Sequence, residues 1–174
     1  MTRTIYFLLL FILVSISSLV IREEINEEIA WVSLQYNGVG YETARNAIID
    51  YLSNDFTNIK KTKNKDSNEI PIAICFYDLN HDNNLEIIAF ISDTEFCGAN
   101  DSGGLFIFDY DGTSIRADRR IAGFPLDVNT ITNSDSKQIG IIINKKGWDM
   151  LYVNTMDKYM NNQYKKTIWE TDPY

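Results

Sequence analysis

The sequence predicts an α+β protein, N-terminal helices followed by a mainly antiparallel β-sheet of hairpins. Apolar residues recur at helical spacing before residue 53. From residue 70 they alternate or run unbroken at strand spacing, and short turn segments separate the runs. Helical pattern precedes strand pattern rather than alternating with it, which points to α+β and away from a doubly wound α/β sheet. Successive hairpins imply antiparallel pairing.

Ile21, Ile25, Ile29 and Val32 fall on one face of a helix over 21–35, with Glu23, Glu24, Glu27 and Glu28 opposite. Asn37-Gly38-Val39-Gly40 breaks it. A second helix, 41–53, places Tyr41, Ala44, Ile48 and Leu52 on one stripe. Asn54-Asp55 and a polar run with Lys60, Lys61, Lys63 and Lys65 end it, and that run reads as a solvated loop because no aromatic residue interleaves it. Strands are expected at 70–77, 85–91, 105–110, 113–121, 126–131, 138–144 and 148–154. Asp111-Gly112 between apolar runs is a hairpin signal, since both residues accept positive φ. The tail, 155–174, reads as polar and closes on Ile168-Trp169.

The first residues bound where the domain works. Arg3 precedes an apolar run from Ile5 to Ile21, followed by a glutamate-rich stretch. A positive start, an apolar run and small residues at Ser15–Ser18 make the layout of an export signal. Residues 1–21 are therefore expected to be a signal peptide or an N-terminal membrane anchor, 22–39 a helical stem and linker, and 40–174 one α+β domain. The run continues past the small residues, so cleavage and retention both stay open. Either way the domain is expected outside the cytoplasm, periplasmic or secreted, touching a membrane only through 5–21. With 24 acidic against 16 basic residues the net charge is −8. Such a chain repels nucleic acid and anionic lipid.

One loop carries chemistry. In Asp78-Leu79-Asn80-His81-Asp82-Asn83-Asn84-Leu85-Glu86, oxygen-bearing side chains occupy alternate positions. Hard Ca²⁺ takes six to eight oxygens, and a tight loop turns alternate residues inward. Asp78, Asn80, Asp82, Asn84 and Glu86 are the expected ligands, Asn84 through its backbone carbonyl, with Ca²⁺ the expected cofactor. Asn83 stands at the sharp-turn position, where Asn tolerates left-handed backbone. A helix–loop–helix hand is disfavoured, because the twelfth position is Ala89 instead of a bidentate Glu and strands are expected on both sides.

The loop resembles the calcium loops of FG-GAP/VCBS-type β-repeats, in which Asp-x-Asp-x-Asp-Gly-x-x-Asp links two strands. Asn80, Asn83 and Glu86 depart from that pattern. Over about residues 70–153 the chain also resembles small exported bacterial proteins of unassigned function. The shared features are Glu86-Ile87-Ile88, Cys97-Gly98 leading to Gly103-Gly104, the run Leu105-Phe106-Ile107-Phe108, and Gly147-Trp148-Asp149-Met150-Leu151. That family's short motif has a second cysteine which this chain lacks, so its small disulfide cannot form here. Cys75 is an alternative partner for Cys97, and an exported protein permits such a bridge. Spacing alone leaves two separate thiols equally open.

Catalytic constellations are sparse. His81 is the one histidine of the chain and lies inside the acidic loop, which argues against a triad. Asp93, Glu95, Asn100 and Asp101 cluster in a Gly-rich loop expected to be a recognition surface. The leading expectation is a non-enzymatic exported binding protein with a calcium-stabilised hairpin and an unidentified protein or envelope ligand as partner. A metal-dependent hydrolase using Asp78, Asp82 and Glu86, and an envelope inhibitor or immunity-like protein, are the alternatives.

Overall fold

The computed structural model describes residues 29–96, 103–121, 131–133, 135, 137–144, 147–157 and 163–174. In order these form β1 (Ile29–Val32), α1 (Tyr41–Tyr51), α2 (Ser53–Lys63), β2 (Ile72–Tyr77), β3 (Glu86–Ile91), β4 (Gly104–Tyr110), β5 (Ile115–Ile121), β6 (Ile139–Ile142), β7 (Met150–Asp157) and β8 (Gln163–Glu170). The strands make two four-stranded antiparallel sheets, ordered β2-β3-β4-β5 and β1-β6-β7-β8. The class is α+β. The helices follow the first strand instead of preceding every strand.

The layers follow from side-chain alternation in β3 and β4, every residue of which is buried. Ile87, Ala89, Ile91, Phe106 and Phe108 point to one face and pack under Tyr41, Ala44, Ile48, Phe56 and Ile59 of the helices. Ile88, Phe90, Leu105 and Ile107 point to the other and meet Ile139, Ile141, Leu151 and Val153 of the second sheet. The β2–β5 sheet is thus the middle of three layers. An antiparallel sheet covered on both faces needs unbroken apolar strands, which is why Glu86-Ile-Ile-Ala-Phe-Ile91 lacks the polar alternation of a half-exposed strand. Each fully buried Phe or Ile contributes roughly 1.5–3 kcal/mol.

Three expectations are corrected. Residues 29–32 are strand, not helix, and pair with β6 from Ile29↔Ile142 to Val32↔Ile139. The spacing Ile29–Val32 satisfies a helical face, but a four-residue IAWV run also suits a sheet edge, and partner strand decides. The expected solvated lysine loop is largely helix. α2 continues from α1 after a bend at Leu52, buries Phe56 and Ile59, and ends at Asn64 in left-handed backbone (φ 51°). Lys60, Lys61 and Lys63 occupy its last turn, where cations suit the helix dipole. The polar tail contains β8, paired with β7 from Met150↔Glu170 to Asp157↔Gln163. The apolar run 5–21, the 21–28 part of the first expected helix, and most of the expected strand at 126–131 lie outside the described residues. Among the described residues no helix is long and apolar enough to cross a membrane.

Candidate functional site

The Asp-rich segment is the connection between β2 and β3, at one end of the middle sheet. Its conformation is written by side-chain acceptors. Asp78 Oδ1 accepts from the Asp82 N–H at 3.1 Å and Asp78 Oδ2 from the Asn83 N–H at 3.1 Å. Asn80 Oδ1 accepts from the Asp82 N–H at 3.0 Å, and Asp82 Oδ1 from the Asn84 N–H at 2.7 Å. Positions 1, 3 and 5 therefore turn inward, as the alternation requires. His81 (φ 63°) and Asn83 (φ 68°) take the left-handed backbone that tightens the turn. Asn83 does so where the sequence pattern placed it; His81 was not anticipated.

Glu86 differs from the rest. It is buried, and its Oε2 accepts the Leu79 N–H at 2.7 Å, closing the loop's base. Burial pushes its carboxyl up to about 7; the Leu79 N–H opposes this, and like charges on Asp82 and Asp78 add to it. Asp82 is held below the usual carboxylate range, chiefly by the Asn84 N–H. The set offers hard oxygen donors and accumulated negative charge, which suits a calcium-type ion in donor chemistry. It is not a preformed cage. Among the described residues no three His, Cys, Asp or Glu side chains stand grouped to hold a metal.

The loop also grips the second sheet. Leu79 is fully buried between the sheets, and its carbonyl accepts the Asp149 N–H at 2.7 Å. Asp149, directly before β7, is fully buried. Its Oδ1 accepts from the Asn144 N–H at 2.7 Å and lies 3.0 Å from His81 Nε2. A carboxylate can only accept, so His81 Nε2 carries the hydrogen. Asp149 Oδ2 has no hydrogen-bond partner among the described residues. Sequence reasoning singled out Gly147-Trp148-Asp149 without a role for Asp149. No local spacing signals a contact across 68 positions.

The other expected site residues scatter. Asp93 is buried and turned inward, with Oδ1 2.5 Å from Lys63 Nζ and accepting the Glu95 N–H at 3.0 Å. Burial raises its carboxyl, but the Glu95 N–H and the Lys63 and Lys65 charges outweigh that and hold it low. It anchors α2 to the turn after β3 and does not present itself for recognition. Glu95 is exposed, 3.8 Å from Lys63. Asn100, Asp101 and Cys97 lie outside the described residues, and with them the Cys75–Cys97 bridge. Cys75 is a half-buried thiol that burial pushes up to about 11.

A cleft of about 410 Å³ opens beside the loop, between the start of α1, the end of β2 and the β4–β5 turn. No known family profile, characterised protein or solved structure matches this chain.

Proposed function

We propose that the chain is an exported, non-catalytic binding protein in which Ca²⁺ taken by the Asp78–Glu86 loop staples the middle sheet to the second sheet. The observation that supports it most is the double attachment of the loop. Its inward oxygens sit on Asp78, Asn80 and Asp82, while its backbone at Leu79 and its His81 side chain hold Asp149 of the other sheet. An ion drawn to Asp78, Asn80, Asp82 and the Asn84 carbonyl would rigidify that joint. Burial raises Glu86 most and the Asp82 and Asp78 charges add to it; a cation beside it would favour its ionised form, so that it adds a third formal charge. Because the oxygens now serve the loop's own amides, binding competes with existing hydrogen bonds. The affinity expected is that of weak extracellular sites, roughly 10⁻⁴–10⁻³ M. The expected location outside the cytoplasm makes such an affinity useful.

Calcium titration followed by thermal melting tests this. At 100 times Kd the ion should stabilise by about 2.7 kcal/mol, or about 5–10 °C for a chain of this size. The Asp78→Ala/Asp82→Ala variant should lose the shift. An unchanged melting temperature in about 100 mM Ca²⁺, 100 times the weakest Kd expected, would sink the staple.

A further inference from the structure

The cleft beside the loop joins aromatic and charged groups that the expected ion chemistry leaves unused. Its floor is the aromatic pair Phe76 and Tyr110, ring centroids 6.3 Å apart and tilted by 39°. Gly40 enters α1 in left-handed backbone (φ 80°), which brings the helix start beside that floor; a Cβ there would stand at ordinary contact distance, 3.6 Å, from the Phe76 ring. Thr43 and the loop residues Asn83–Leu85 form its sides, with the turn at Asp111-Gly112 between them. Among the described residues lining the cleft, Asp111 bears the charge. Its carboxylate is fixed by four bonds, from the N–H and Oγ1 of Thr113 and the N–H and Oγ of Ser114. They hold its carboxyl well below the usual carboxylate pKa range, which favours the ionised form. Of the three arginines in β5, Arg116 stands nearest the turn along the strand and is already engaged by Asp109 at 2.5 Å, while Arg119 and Arg120 pair with Glu170 and Asp55. The partial positive charge of the α1 start is opposed by Glu42 in its first turn. The rim beyond the floor is apolar and exposed at Val39 and Leu85.

We infer that this cleft receives an arginine or lysine side chain from a basic protein segment. The cationic head meets the Asp111 carboxylate and the aromatic floor, and flanking apolar residues of the segment rest on Val39 and Leu85. Charge complementarity selects this occupant. A carboxylate fixed in place beside aromatic rings, with no cation among the described lining residues, favours a cation, and a guanidinium meets both at once. The volume admits one long side chain, and the apolar rim extends beyond what a small free cation would cover. The chain uses the same pairing internally, where the Arg120 guanidinium stacks 4.9 Å from the Phe106 ring. This inference extends the binding reading and does not require the calcium ion.

The test is a titration of the full-length chain, without Ca²⁺, with the peptide Ac-Leu-Arg-Leu-NH₂ and its citrulline counterpart, which is isosteric and neutral. Resonance shifts should map to Thr43, Phe76 and Tyr110, and the arginine peptide should bind about tenfold tighter than the citrulline one. Asp111→Asn should erase that preference. Asp50→Asn, an equal charge change about 15 Å along α1, should leave it within twofold. Thr43→Lys, on the exposed helix face, should occupy the cleft with a resident cation and abolish binding in a folded protein. Equal binding of both peptides overturns the inference. So does an Asp50→Asn loss as large as that of Asp111→Asn, binding that survives in Thr43→Lys, or no binding at all.

Discussion

Asp149→Ala is the substitution that weighs the joint between the sheets. The wild-type carboxylate is fully buried and accepts two bonds, from the Asn144 N–H at 2.7 Å and from His81 Nε2 at 3.0 Å. A hydrogen bond to a charged group contributes roughly 1.5–3 kcal/mol. The His81 bond belongs at the low end, because that side chain is 48% exposed. The unpartnered Oδ2 subtracts, since a buried charge with an unmet lone pair costs stability. The net loss expected for alanine is about 3 kcal/mol, or about 6–12 °C in melting temperature. Asp149→Asn keeps one acceptor oxygen and removes the buried charge, so it should lose about 1 kcal/mol or less. His81→Ala should lose under about 1 kcal/mol. Urea denaturation at pH 7 without Ca²⁺ reads all three. An alanine variant within about 0.5 kcal/mol of wild type would refute the reasoning, and so would a His81→Ala loss equal to it.

Three other substitutions probe the frame around the site. Gly104→Ala should destabilise by about 2 kcal/mol or more, because the new Cβ would press into the Phe96 carbonyl oxygen and the Phe106 ring; a loss under about 0.5 kcal/mol would show that β4 can shift there. Asp93 is held below its ordinary value of 3.8, so its contribution is present above that pH and lost as pH falls through the lower folded value. Asp93→Asn should cost about 1–2 kcal/mol at neutral pH and converge on wild type in acid melts, whereas a constant difference across pH would contradict the ion pair with Lys63. In a Cys97→Ser background the Cys75 thiol, pushed up to about 11, should react slowly with a thiol reagent at pH 8 and quickly once urea unfolds the chain; immediate reaction in the folded state would place it in an open environment.

Local pattern carried much of this fold. The stripe Tyr41, Ala44, Ile48 marks α1, and the runs at 85–91 and 105–110 mark β3 and β4 to within a residue. Burial on both faces of these strands was not legible as such, because an apolar run gives no partner. Two sheets instead of one follow from pairings such as Ile29↔Ile142, which join residues far apart in the chain. α2 was missed because lysines 60, 61 and 63 suggest solvent, while Phe56 and Ile59 alone carry its buried face. In the site, the acceptor pattern of Asp78, Asn80 and Asp82 was readable from spacing, since each bonds within five residues. The Asp149 anchor and the cleft were not, because tertiary packing alone brings Gly40, Phe76 and Asp111 together.

Amide hydrogen exchange without Ca²⁺ and with about 100 mM Ca²⁺ addresses the staple most directly. The reporter amides are Leu79 N–H, bonded to Glu86 Oε2, and Asp149 N–H, bonded to the Leu79 carbonyl. One lies in the loop and the other directly before β7 of the second sheet. The account predicts that Ca²⁺ slows exchange at both, by up to about 100-fold at 100 times Kd if each opens with the joint, and at neither in Asp78→Ala/Asp82→Ala. Protection confined to Leu79 would make the ion a local loop ligand, and unchanged exchange at both amides would contradict the claim that this loop staples the sheets.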